Sequence, residues 1–234
     1  RSTLFPYTTL FRSERCEPTA YMKAKGIRPQ PGVFTDLRAQ TTYVPASDAS
    51  GKLWTMQYIR EDGTKRFAKN SRKEGCFHVI GCMEALMKAP TLVIAEGYAT
   101  AATLSQTVGF ATLAAFDSGN LVPVARTLHE KYPEKQIIIT GDDDRHLELT
   151  HGINPGRSKA EEAARAVRGK VLLPIFAPNE NSYPAGLEPV TPQKFRKGHL
   201  SDQQHEALAK MKQYTDFNDL ATKSGQRSDR KSVV

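Results

Sequence analysis

Two short apolar runs that each close on acidic residues constrain this chain more than any other feature of its 234 residues. They are TLVIAEG at Thr91–Gly97 and QIIITGDDD at Gln136–Asp144. Both are apolar at consecutive positions rather than alternate ones, which suits strands covered on both faces. FATLAAFDSG and GKVLLPIF add further strand-like runs, and between them YATAATLSQTV, NLVPVARTLHEKY and KAEEAARAV carry helical periodicity. Strand–helix–strand alternation of this kind predicts a parallel sheet sandwiched by helices, a compact Rossmann-like α/β domain over about 91–178.

In such sheets ligands bind beyond the carboxyl ends of the strands, so acids placed there matter more than acids elsewhere. Glu96 follows the first run, and Asp142 and Asp144 follow the second. The D-x-D spacing on an extended chain turns Asp142 and Asp144 to one side and Asp143 away. Such acids repel one another, and a shared divalent cation removes that cost. Asp216 and Asp219 in TDFNDL are candidates to complete the ion's shell, against a simpler role as the cap and exposed face of a short helix. His146 and His151 are read as loop residues, because a hard cation prefers oxygen.

Upstream, residues 41–80 alternate apolar and polar positions between turn signals, including the hairpin dipeptide Asp62-Gly63, and end at CFHVIG. They predict a small antiparallel β unit within a β-rich, truncated segment 14–90. Trp54 and Phe67 are expected to pack in its core, though both could stack bases. Lys65, Arg66, Arg72 and Lys73 before the core, with Arg157 and Lys159 after D-x-D, are candidates to bind nucleic-acid or nucleotide phosphates. Downstream, a Pro/Gly/Asn-rich loop, APNENSYPAGLEPVTPQ, leads to a helix in SDQQHEALAKMKQY capped by Ser201 and a second short helix in TDFNDLATKSG, the helical part of 179–228.

Composition limits the function classes. With 39% hydrophobic and 25% charged residues the chain reads as ordinary globular protein, and no apolar run approaches the roughly 20 residues of a membrane span. Cys16, Cys76 and Cys82 form no C-x-x-C pair. Disulfide frameworks and zinc ribbons are therefore unsupported, Cys76 and Cys82 are expected as small half-buried residues, and a reducing cytoplasm is the expected setting. Residues 1–13, RSTLFPYTTLFRS, match the translation of a sequencing-library adapter, and DRKSVV at 229–234 its reverse complement. Both are expected to be artefacts that pack against nothing, leaving about 14–228 as native sequence with both ends cut. Without the flanking Arg1, Arg12, Arg230, Lys231 and Asp229 the formal charge falls from +8 to +5, still compatible with a polyanionic partner.

The strand ending in Glu-Gly followed by a strand ending in D-x-D resembles the Toprim domain of bacterial primases, topoisomerases and some nucleases. Glu96-Gly97-Tyr98-Ala99-Thr100-Ala101 is similar to the signature of the primases of conjugative plasmids and satellite phages. The likeness runs on through Asn154-Pro155-Gly156-Arg157 with KAEEAA, and into Asp216-Phe217-Asn218-Asp219-Leu220. It implies RNA primer synthesis on single-stranded DNA from ribonucleotides. Magnesium or manganese would be held by Asp142 and Asp144, and Glu96 would serve as ligand or general acid/base. Toprim proteins generally place a glycine soon after D-x-D, whereas here Arg145 to Pro155 intervene before Gly156. No G-x-x-x-x-G-K-[ST] is present, so any replicative helicase partner lies on another chain or outside this segment. A Toprim nuclease using the same acids and a non-catalytic nucleic-acid-binding segment are the rival readings, while a topoisomerase would need a nucleophilic tyrosine that nothing here marks.

Overall fold

The fold was analysed in a computed structural model that describes residues 17–224, so the readings made for 1–13 and 229–234 lie outside it. A short helix α1 (Ala20–Ala24), capped by the Thr19 hydroxyl, precedes four strands, β1 (Phe34–Asp36), β2 (Thr41–Ser47), β3 (Leu53–Ile59) and β4 (Lys65–Phe67). They form an antiparallel sheet in the order β1-β2-β3-β4, the β unit that the alternating pattern predicts. Along β2 burial alternates residue by residue, as a strand with one covered face requires.

The second sheet has five strands in the order β5-β7-β6-β8-β9. Its members are β5 (His78–Ile80), β6 (Thr91–Ala95), β7 (Thr112–Ala114), β8 (Gln136–Thr140) and β9 (Lys170–Leu172). The last four run parallel, as their continuous apolar runs require, and β6 is buried at Leu92, Val93, Ile94 and Ala95. The parallel-sheet expectation needs one amendment. Strand β5, which the alternating pattern groups with the hairpins, pairs antiparallel with β7 and makes the sheet mixed. A single bridge, Ser47 to Phe77, connects it to the first sheet.

Helices α2 (Met83–Lys88), α3 (Tyr98–Val108), α4 (Leu121–Lys131), α5 (Arg145–His151), α6 (Pro155–Ala166), α7 (Pro192–Arg196), α8 (Asp202–Met211) and α9 (Phe217–Lys223) complete the described residues. On one face of the second sheet, α4 and α6 share an apolar cluster with Leu92, Ile94, Ile137 and Ile139. On the other, α3 buries Tyr98, Ala101 and Ala102 together with Val44 and Ile59 of the first sheet and Val93 and Ala95 of β6. The alanines of α3 allow that close approach. Ser201 caps α8 through a complete capping box with Gln204. His146 and His151 lie in α5 rather than in a loop: seven residues with only Thr150 buried leave no periodicity for the sequence to show. Cys76 is fully buried and Cys82 exposed, where both were expected half-buried; both are free, and Cys82 Sγ caps α2. Among the described residues no helix is long and apolar enough to cross a membrane.

His78 connects this packing to pH. It is buried, its Nδ1 donates to the Pro45 carbonyl at 3.0 Å, and burial pulls its pKa down to about 4. Folding therefore holds it neutral while the unfolded chain charges it near 6.5. Its stabilising contribution is complete above that pH and is lost as the pH falls toward 4. Relative to a His78→Phe variant, the protein should lose about 2 kcal/mol of stability between pH 7 and pH 5, read from urea midpoints.

Candidate active site

Strand order places the site. Helix α3 leads from β6 to β7 on one side of the sheet, whereas α6 leads from β8 to β9 on the other. The connections leaving the neighbours β6 and β8 thus diverge, opening a crevice at their carboxyl ends. The five paired residues of the two strands end level, Ala95 opposite Thr140, so Glu96 and the Gly141-Asp142 step enter that crevice together.

Four carboxylates from three separated stretches of chain interact there. Glu96 is raised to about pKa 7 by burial, then by Asp144 and Asp117, against Lys65 and a Ser118 backbone N–H. Asp142 is pushed well above the ordinary carboxylate range by burial, then by Glu96, Asp216 and Asp144. Asp144 is raised by burial and by Asp143 and Asp216, while the Gly156 N–H (3.2 Å to Oδ2) and His146 oppose the shift. Asp216 caps α9 and also accepts from Thr100 Oγ1 at 3.2 Å, which joins the E-G-Y-A-T-A segment to TDFNDL. One oxygen of this group, Asp142 Oδ1, is out of solvent with no hydrogen-bond partner among the described residues.

The other predicted residues are placed as follows. Asp219 does not face this cluster: it is buried, accepts from the Thr215 backbone and hydroxyl, and pairs with Lys223 (2.7 Å) and Lys25 (3.6 Å). Lys65 stands beside Glu96 and Asp142, and Arg66 next to it is exposed. Arg72 lies over the Trp54 ring, 4.8 Å from its centroid, with Lys52 at 4.0 Å; Trp54 and Phe67 pack against the core from half-buried positions. Lys73 pairs with Asp117, Lys159 with Glu162, and Arg157 with Asp143. Sequence reasoning missed Asp117. It follows β7, the third parallel strand, and the rule that selected Glu96 would have found it.

A hard divalent cation fits this arrangement. The candidate donors are all carboxylate oxygens, one lacks a partner among the described residues, and burial followed by mutual repulsion raises their pKa values. Among the described residues no three His, Cys, Asp or Glu side chains stand as a ready-made ligand set. A small divalent ion that keeps several of its waters tolerates that, because it needs only one or two protein carboxylates.

Residues 91–183 match the Toprim domain family. This segment is a Toprim domain. The chain is 53% identical over 241 aligned residues to a DNA primase TraC of Escherichia coli, covering 91% of this chain, and 56% identical over 236 to a second protein of that name and organism, covering 89%. It spans only 23% and 16% of their respective lengths. Among solved structures it is similar to the primase fragment of the bacteriophage T7 primase-helicase protein (15% identity, TM-score 0.41, 81% of this chain and 69% of that one). A second is the Aquifex aeolicus primase (19% identity, TM-score 0.39, 88% and 48%).

Gly156 packs directly against Asp142. A Cβ there would stand 2.5 Å from the Asp142 carbonyl oxygen and 2.9 Å from its Cβ. Gly156→Ala should therefore destabilise the fold by about 1–3 kcal/mol. Gly186→Ala, whose Cβ would meet nothing within 4 Å, is the control and should melt like the parent. Equal melting temperatures for the two variants would refute the close packing.

Proposed function

We propose that this segment holds the nucleotidyl-transfer centre of a DNA primase that makes RNA primers on single-stranded DNA, in the cytoplasm and in the service of plasmid conjugation. The observation that carries the proposal is the convergence of Glu96, Asp142, Asp144 and Asp216 on the crevice between β6 and β8, with Asp142 Oδ1 unpartnered. Close similarity to two proteins called DNA primase TraC supports the same reading.

Asp142 and Asp144 would hold magnesium or manganese, with Asp216 at the edge of the shell and Asp219 bracing the turn that presents it. When bound, such ions lower the pKa of an attacking hydroxyl and neutralise a leaving pyrophosphate. The rest falls to the protein. Glu96, raised to about pKa 7, is suited to exchange a proton with the primer 3′-hydroxyl. Lys65 would bring a cation to the phosphate side of the acids, while Arg66 and Arg72 would offer charge to the template. Lys73, Arg157 and Lys159, being engaged with acids, are left to the rim. A replicative helicase is the proposed partner for the whole protein.

Two measurements test this reading. In the full-length parent, Asp142→Asn should abolish magnesium-dependent primer synthesis while leaving template binding intact, because phosphate contacts supply that affinity. The same substitution should raise the melting temperature without metal, since it removes one of several crowded charges. Undiminished synthesis would sink the assignment, and template cleavage without nucleotide incorporation would favour the nuclease.

Magnesium should also stabilise the protein more at pH 8 than at pH 6. A raised carboxylate pKa favours the folded state below its ordinary range, and that advantage fades as the pH rises through about 7, where Glu96 ionises. Below that pH protons compete with the ion. A melting shift independent of pH would argue against Glu96 facing the ion.

A further inference from the structure

We propose that Asp143, the acid between the two that face the crevice, is the positioning residue of this site and sets its affinity for the divalent ion; this rests on the divalent-ion reading above. Its side chain is 3% exposed, and all its hydrogen-bonding capacity is directed away from Asp142 and Asp144. Oδ1 accepts from Arg157 Nη2 and Asn154 Nδ2, both at 2.8 Å. Oδ2 accepts from Arg145 Nε at 2.9 Å and Asn181 Nδ2 at 3.4 Å.

The backbone of Asp143 completes the clamp. Its N–H donates to the Thr215 carbonyl at 2.7 Å, one residue before Asp216, and its carbonyl accepts from Asn181 Nδ2 at 3.3 Å. Asn154 extends it to Asp144, whose N–H it accepts at 3.0 Å, and also caps α6. One residue thereby ties together α5, the start of α6 and the loop at Asn181 through its side chain, and the approach to α9 through its backbone N–H. Asp142 and Asp144 are its covalent neighbours, and Asp144 is held further by the Gly156 N–H on its Oδ2 and by its carbonyl, which accepts from Leu147 and Glu148 at the start of α5.

Stability alone is a poor reason for such a clamp, because a buried ion pair loses in desolvation much of what it gains in attraction. What it supplies is geometry. Two arginines neutralise the middle carboxylate and hold it turned outward, so its neighbours face the crevice with fixed spacing. Residues that orient metal ligands in this way typically change ion affinity about 10–100-fold when removed.

The test compares the parent sequence with Asp143→Asn and Arg157→Gln. Manganese binding to this chain, followed by the electron paramagnetic resonance of the free ion, supplies one readout. The magnesium midpoint for primer synthesis by the full-length parent supplies the other. Both variants should need about 10–100-fold more ion at the midpoint, with synthesis largely recovered at saturating magnesium. Midpoints within twofold of the parent, whatever the melting temperature, would show that Asp143 only stabilises the fold. Arg157→Gln keeps the acid, so it answers the question if Asp143→Asn fails to fold. Absence of primer synthesis by the unmodified parent would overturn the primase reading alone, since the manganese titration would still decide Asp143. Absence of manganese binding by the unmodified chain would overturn both.

Discussion

The pairing of β6 with β8 sets the terms for everything else in this molecule. Five residues in register bring the ends of two buried strands level, and the helices that follow them depart to opposite sides. That leaves a gap in the helical cover at one place on the sheet. The acids that enter the gap are taken partly out of water at a cost, because burial penalises a carboxylate that lacks full compensation. The apolar clusters on both faces provide the rigidity against which these charges are held.

Held is the apt description, because the acids oppose one another. Glu96, Asp142 and Asp144 are each raised above their ordinary pKa by burial first and by neighbouring carboxylates second. A fold selected for stability alone would have spread them apart. Compensation is partial and comes from several directions: Lys65 from the antiparallel sheet, the Gly156 N–H from α6, and the Thr100 hydroxyl on Asp216 from α3. The β unit thus contributes to the site itself, since Lys65, the cation that offsets Glu96 and Asp142, comes from its edge strand β4.

Signals confined to one stretch of chain were legible in the sequence. The runs before Glu96 and Asp142 read as buried strands because nothing polar interrupts them, and the outward turn of Asp143 followed from strand geometry. The Ser201 cap followed from its place at the head of the helical run SDQQHEALAKMKQY. Signals that depend on distant partners were not legible. Three residues at 78–80 are too few to say which sheet they join, and the choice is fixed by Thr112–Ala114 far along the chain. The surroundings of Asp143 come from residues 11, 14 and 38 positions away. Lys223 on Asp219 could be inferred from helical spacing, but Lys25 on the same carboxylate could not.

The interval between D-x-D and Gly156 shows the same limit from another side. In sequence it looks like a departure from the Toprim pattern, as if the glycine near the acids were missing. In space the detour closes on itself. Helix α5 ends at Gly152 in the left-handed conformation (φ 80°), Asn154 caps the next helix, and Gly156 arrives against the Asp142 backbone. Gly141 makes the reciprocal contact, since a Cβ there would stand 2.6 Å from that of Ala160. Two residues without side chains therefore allow α6 to press its first turn onto the end of β8 and donate an N–H to Asp144. The physical requirement is this close approach, which contact distance measures and sequence spacing does not, so a helix can be inserted in the interval without disturbing the acids.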